Sequence, residues 1–290
     1  MFDFMEIPVD FRDPVPYRPQ FLEGYDPNVD SLLPSALADE LHRTARWENG
    51  PHRFNGALGI MTAFMTDFCW SSSALEGCHL TRPQTAALFQ LEPDRQAVMA
   101  EQESEVRLLV NHRRALEHFA FRPAPRRLDI SLFLRLHGML MHGLLAPDRC
   151  GAVRQVEVMV TGTAYRPSTD HALLQSMLDT IGSKAQAIRN PVEAAFFLWI
   201  HLPYLQAFAD GNKRLGRLCA NIPLLFGHCA PLSFGGIEPR DYTVAMLGVY
   251  ERQDVSVAVD LFEWMYRRSM QKYPWMMAEP QADHLAGGHL

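Results

Sequence analysis

The 290-residue sequence contains no long apolar run. Its most continuous one, around Ala194 to Ile200, falls far short of the roughly 20 residues that span a bilayer. No membrane partner is expected. The N-terminus, MFDFMEIPVDFRD, is acidic and lacks the basic start and apolar stretch of a signal peptide, so a cytoplasmic home is the expectation. No C-x-x-C pair occurs among the five scattered cysteines (Cys69, Cys78, Cys150, Cys219, Cys229), which argues against a zinc site and against a disulfide framework. A long basic run is missing too, and the formal net charge is −6, so a nucleic-acid partner has no electrostatic support and any anion site must be local. Internal repeats and low-complexity segments are also absent.

What is present is the material of a large core. Hydrophobic residues make up 48% and charged ones 21%, ordinary values for a globular chain long enough for one large domain, or one domain with an appendage. The first thirty residues are rich in proline, aspartate and aromatics, and read as an extended arm packed on a body. Helical spacing then sets in over 32–47 and 53–71, over 83–91 behind Pro83, over a long amphipathic stretch at 97–119, and over 126–145 with Asp129 as a cap. The pattern switches at 153–167, VRQVEVMVTGTAYRP, which alternates, is rich in β-branched residues and predicts a short strand or hairpin turning near Thr161-Gly162. Helical spacing resumes at 170–187, 191–204, 212–227 and 255–273, and the tail 274–290 is expected to be disordered. The fold class predicted is mainly α, a helical bundle with one small β excursion. The expected divisions are an arm and first helix at 1–50, a helical region at 51–110, a core at 111–273 and the tail.

The chemistry gathers in QAFADGNKRLGR, 206–217. A helix ends near Leu205, a loop with Gly211 turns tightly, and a second helix starts near Asn212. Glycine lets the backbone point its N–H groups inward, and the start of a helix adds the positive end of its dipole. Arg214 and Arg217, three residues apart, share a helix face, and two guanidinium forks suit several phosphates better than one. Asp210 at the mouth of the loop is an oxygen ligand suited to Mg²⁺ on a polyphosphate. A solvated polar helix start is the plainer alternative, but the longer arrangement followed by the apolar LCANIPLL disfavours it.

This segment resembles the Fic signature, H-P-F-x-(D/E)-G-N-(G/K)-R-x-x-R, at Phe208, Asp210, Gly211, Asn212, Arg214 and Arg217. The resemblance extends over roughly residues 55 to 270. CGAVRQVEVMVTGTAYRP is similar to the family's β-hairpin flap, here Val156, Glu157 and Val158, and LRLHGMLMHGLL to the helix before it. The sequence SSSALEGCHLT, 71–81, resembles the family's inhibitory motif, (S/T)-x-x-x-E-(G/N), through Ser72, Glu76 and Gly77; a helix terminus at Gly77 is a compatible reading. The resemblance implies a Fic-type helical bundle that binds ATP or another nucleotide with Mg²⁺ and transfers AMP, or another phosphate-linked group, to a protein or small-molecule acceptor. It implies Gly211, Asn212, Lys213, Arg214 and Arg217 around the phosphates, Asp210 on the metal, and Glu76 pairing with Arg217 to restrain the site. Homodimerisation is left open.

The chain departs from the pattern at two positions. Gln206 stands where the signature has the His that serves relatives as general base. A glutamine amide cannot take a proton at any accessible pH and can only orient a partner by hydrogen bonds. Substitutes are hard to find. His201 lies five residues earlier, about 500° and 7.5 Å away along a helix, and reads as structural; Glu157 and Asp210 are the other candidates. Since phosphoryl-type transfer leans on positioning, and a general base contributes only about 10²–10⁴-fold, its loss lowers the expected rate of transfer to a hydroxyl without excluding chemistry. Lys213 occupies a position more often held by Gly, and either tunes which phosphate sits in the cradle, as in Doc-type phosphotransferases, or is solvated. The open readings are a restrained transferase, a Fic-fold binding module without activity, and a Doc-like kinase or demodifying enzyme.

Overall fold

The computed structural model describes residues 7–46, 58–120 and 127–272. Among these, twelve α-helices, two short 3-10 turns (Val9–Phe11 and Pro147–Arg149) and one two-stranded sheet make up the regular structure, in agreement with the mainly helical class. The arm forms β1 (Val15–Pro16) and a single turn, α1 (Gln20–Glu23). Helices α2 (Ser35–Ala45), α3 (Leu58–Ala74), α4 (Arg82–Gln90), α5 (Pro93–Gln102), α6 (Ser104–Ala120) and α7 (Ile130–Met141) follow. After β2 (Tyr165–Arg166) come α8 (His171–Ala187), α9 (Pro191–Leu205), α10 (Asn212–Phe226), α11 (Pro239–Arg252) and α12 (Ser256–Lys272).

The starts of these helices obey local chemistry. Asp129, Asp170 and Asn190 accept hydrogen bonds from first-turn amides of α7, α8 and α9, and Thr81 with Gln84 closes a reciprocal capping box on α4. Helix α9 is buried along its whole length and packs most extensively on α10. Gly216 permits that approach, since a Cβ there would sit 2.7 Å from the Pro203 ring of α9.

Two expectations need correction, and one helix was not foreseen. The stretch 97–119 is two helices, broken at Glu103, whose backbone is extended (φ −127, ψ 121). Arg107 folds back across the break, donating to the carbonyls of Ala100, Glu101 and Gly143, so a side chain completes the end of α5 where helix continuation would have done so. Helix α11 was unassigned by the sequence pattern, although Tyr242, Ala245, Met246, Val249 and Tyr250 form its buried stripe. The small β element is real but is not a hairpin closed on itself. β1 pairs with β2 in parallel, Val15 opposite Tyr165, and the run 153–160 carries no strand. Arg154 accounts for this, because its guanidinium donates to the carbonyls of Val156 and Ser168, the two legs of the loop, in place of a ladder between them. The turn at Thr161–Gly162 is where the sequence placed it. The tail 274–290, residues 53–57 and residue 126 lie outside the described residues.

The arm is fastened to the body by buried carboxylates. Glu193 of α9 accepts from the Tyr25 hydroxyl (3.0 Å) and from the amides of Leu32 (2.7 Å) and Leu33 (3.0 Å). Glu251 of α11 accepts from Arg12 (3.1 Å) and from the Ala164 amide (2.9 Å), joining the arm to the foot of the flap. Among the described residues no helix is long and apolar enough to cross a membrane, and all five cysteines are unpaired. Replacement Glu193→Ala strips two amides and one hydroxyl of their acceptor, and should cost at least about 2 kcal/mol in urea unfolding; an unchanged midpoint would contradict this account of how the arm is held.

Candidate functional site

The loop between α9 and α10 is shaped by two left-handed residues. Gln206 ends α9 with φ 52 and ψ 48, and Gly211 opens α10 with φ 79 and ψ 3. Gln206 pays a conformational cost for a side-chain-bearing residue in this region, and three contacts hold it. Its carbonyl accepts from Arg154 Nε (2.7 Å), its amide nitrogen donates to the Pro203 carbonyl (2.8 Å), and its Oε1 accepts from Asn212 Nδ2 (3.0 Å). Asn212 also accepts from the Phe208 amide (2.9 Å) and donates to the Phe208 carbonyl (2.8 Å), so it braces the loop from inside. At Gly211 any side chain would be both strained and obstructed, since a Cβ would meet Met141 Sδ at 2.7 Å.

His137 of α7 supports this loop from below. Its ring stacks on Phe208 at 3.9 Å, its Nδ1 accepts from the Gly151 amide (2.9 Å), and its Nε2 therefore carries the proton donated to the Asp210 carbonyl (2.9 Å). Burial drives its pKa down to about 4, with the nearby Arg214 charge adding to the shift against the favourable Asp210 carbonyl. The neutral tautomer is thus fixed.

The charged residues sort into two groups. Asp210, well exposed, accepts from the Gly211 amide (2.6 Å) and pairs with Arg214 (2.8 Å). Burial raises its pKa, but Arg214 and the amide outweigh that and hold the carboxyl below its usual range. Arg217 is fully buried. Its Nε donates to Ser72 Oγ (2.8 Å) and its Nη2 to the Ser72 carbonyl (2.9 Å), while Nη2 also lies 2.8 Å from Glu76 Oε1. The rings of Tyr242 (5.2 Å) and Phe234 (5.9 Å) flank its guanidinium. Glu76 turns its second oxygen to Lys213 Nζ at 3.1 Å. Desolvation opposes the charge of Glu76, but Arg217 and then Lys213 overcome it, and its pKa is lowered. The contact with Arg217 is out of line for a hydrogen bond, and both Glu76 Oε1 and Arg217 Nη1 are left without one.

A cavity of about 240 Å³ opens between this loop and the flap. Glu76, Gln206, Asp210, Lys213 and Arg214 line it on one side, and Val158 to Thr161 on the other. Of the flap residues expected from sequence, Val158 faces this cavity, and Val156 a neighbouring one of about 290 Å³ beyond Ala209. Glu157 is exposed and lines neither, which leaves it badly placed as a substitute base. His201 is buried between Phe21 and Phe197, with a pKa depressed to about 3 by desolvation and by Lys184, in keeping with a structural role. Ser72 lies on α3, but Glu76 falls in the turn beyond it, which Gly77 closes with φ 88, so the helix-end reading and the contact with Arg217 both hold. Among the described residues no group of three or more His, Cys, Asp or Glu side chains is arranged to hold a metal.

Four contributors escaped the sequence reading. Arg154 and His137 hold the loop. His112 of α6 backs Ser72 and Ser73, its ring nitrogens 3.5 and 3.3 Å from their hydroxyls. The buried Tyr250 hydroxyl faces the Gln206 side chain without a hydrogen bond of ordinary geometry, its ring 5.3 Å from Tyr165. The sequence signal for each was a polar residue inside an apolar helical stripe or strand, which by itself names no partner.

Residues 127–224 match the model of the Fic/DOC family. The chain is similar to Fic-1 from C. elegans, with 20% identity and a TM-score of 0.58 over 84% of this chain and 69% of that one. It is similar to a Fic-domain-containing signaling protein from Bacteroides thetaiotaomicron (18%, 0.58, 84% and 97%) and to a Fic family protein from Desulfovibrio desulfuricans (16%, 0.61, 90% and 80%). At these identities the likeness is one of fold. No curated protein matches the chain.

Three buried histidines make stability pH-dependent. His137, His201 and His112 all have folded pKa values below 6.5, so between about pH 4 and 6.5 the unfolded chain binds more protons and stability falls as pH is lowered. Each contributes a slope of up to about 1.4 kcal/mol per pH unit. Urea unfolding from pH 7.5 to 5 should show the decline, and His201→Leu should flatten it; a pH-independent midpoint would contradict the neutral assignments.

Proposed function

We propose that the protein is a Fic-type nucleotide-binding transferase, restrained by Glu76. It would move AMP, or another phosphate-linked group, from a nucleotide to a protein or small-molecule acceptor. The observation that carries this reading is the Glu76–Arg217 ion pair, because it places a carboxylate on a cation that the cradle would otherwise offer to phosphate. A buried guanidinium with one nitrogen lacking a hydrogen-bond partner fits a site built for an additional oxyanion. The amides heading α10 have no intrahelical acceptor and face the same chemistry.

In this reading Lys213, Arg214 and, once Glu76 moves aside, Arg217 neutralise the phosphate chain. Asp210 is the one site carboxylate with ample exposure, and would supply a single protein ligand to Mg²⁺, phosphate oxygens and water completing the shell. The metal would add charge neutralisation at the phosphates. Val158 to Thr161 of the flap would hold the acceptor beside them. Attack by an acceptor oxygen or nitrogen forms one bond to phosphorus and breaks the bond to the leaving group, which is pyrophosphate when AMP is taken from ATP. Any proton on the acceptor must go to solvent or be lost beforehand, since Gln206 offers no base.

Gln206 favours a second reading, a nucleotide-binding module without transfer activity. Its side chain is spent on Pro203 and Asn212 within the loop. Incubation with α-labelled ATP, Mg²⁺ and candidate acceptor proteins separates the two. The transferase reading expects weak label transfer by the native protein, a rise with Glu76→Gly, and a further rise of about 10²-fold or more when Gln206→His is added. Label transfer by the His-containing protein alone would instead establish the binding module, and an unlabelled acceptor whose mass rises by one phosphate would indicate kinase chemistry, since the α-phosphate then leaves with ADP.

A further inference from the structure

Glu76 is held by two cations that differ in access. Arg217 is sealed behind Ser72, Tyr242 and Phe234 and has no exposed surface. Lys213 is 36% exposed along its side chain and lines the cavity beside Arg214. An anion entering the cavity therefore meets Lys213 and Arg214 before it can reach Arg217. Arg214 already has Asp210 as its counter-charge. Among the described residues Glu76 is the one carboxylate paired with Lys213, at 3.1 Å, so an entering phosphate competes with Glu76 for the same ammonium.

We propose that Lys213 is the residue through which a nucleoside di- or triphosphate displaces Glu76, an inference that rests on the cavity being a nucleotide site. The phosphate chain takes Lys213 Nζ, and Glu76 is left on Arg217 alone, across a contact that is not a hydrogen bond. The site then loses one of the two charges that keep the carboxylate over the cradle, and Arg217 becomes available to a further phosphate. Lys213 thus acts in opposite senses. It binds the ligand directly, and it fastens the group that opposes the ligand. A lysine suits this exchange, because its ammonium is a compact charge on a flexible stem whose donors can swing between partners.

Opposed roles make a signature in a double-mutant cycle. Calorimetric titration of MgATP into the native protein, Glu76→Gln, Lys213→Met and the double variant provides it. Glu76→Gln keeps the length of the side chain, Lys213→Met keeps all but its terminal atom, and both remove the charge. In the Glu76→Gln background only the direct role remains, and Lys213→Met should weaken ATP binding by about tenfold or more, as expected for loss of a charge-assisted contact. In the native background loss of the contact and release of Glu76 offset each other, and the same change should alter Kd by less than about threefold, or tighten it. Equal fold-changes in the two backgrounds would overturn the inference while leaving the nucleotide site intact. Failure of ATP to bind even to Glu76→Gln would overturn the nucleotide reading itself, and the inference with it.

Discussion

The contact on which the site depends is the approach of Glu76 to Arg217. Neither group could be buried alone, since an isolated ionised side chain out of water costs several kcal/mol. Arg217 has no exposed surface, so its environment must supply what water would have given. Ser72 gives two acceptors, two aromatic rings give their faces, and Glu76 gives the countercharge. These partners come from four parts of the chain, namely α3 and its closing turn, the 233–235 loop and α11. Satisfying one cation at the start of α10 thus draws the whole face of the bundle into place. Asp67 extends the arrangement, for on the same helix as Ser72 it receives Arg82, Ser233 and Lys272.

The second constraint is the αL turn at Gln206. It directs the chain from the buried α9 into the cradle within a few residues, and the polar atoms of Gln206, Asn212 and Phe208 bond among themselves. A glutamine is well matched to this role, because at any accessible pH its amide nitrogen donates to Pro203 while its oxygen accepts from Asn212. The same property makes it useless for taking a proton. The geometry of the cradle and the absence of a base are therefore parts of one arrangement, in which loop rigidity is kept and proton transfer is not.

Much of this was legible in the sequence because it rests on local rules. The cap at Asp129, the glycine at 211, and the spacing of Ser72 to Glu76 and of Arg214 to Arg217 each lie within about five residues. What was hidden depends on distant partners. The break at Glu103 becomes intelligible only when Arg107 is seen reaching Gly143, and the flap's lack of a ladder only when Arg154 is seen reaching Gln206 and Ser168. Asn212 carried a phosphate-binding expectation, yet its side chain is turned into the loop; the spacing of the signature is compatible with both and separates neither. Strand β2 lies in a segment read as a short strand or a hairpin, and its partner is the arm, about 150 residues away in the chain.

The most direct test of the central claim is a crystal structure of the Glu76→Gly protein with Mg²⁺ and a non-hydrolysable ATP analogue. The account predicts the phosphate chain along the amides that head α10, its terminal phosphate on Arg217, Mg²⁺ on Asp210, and the Gln206 amide beside the α-phosphate, still bonded to Asn212. An empty cradle at saturating ligand, or phosphates lying away from Arg214 and Arg217, would contradict it.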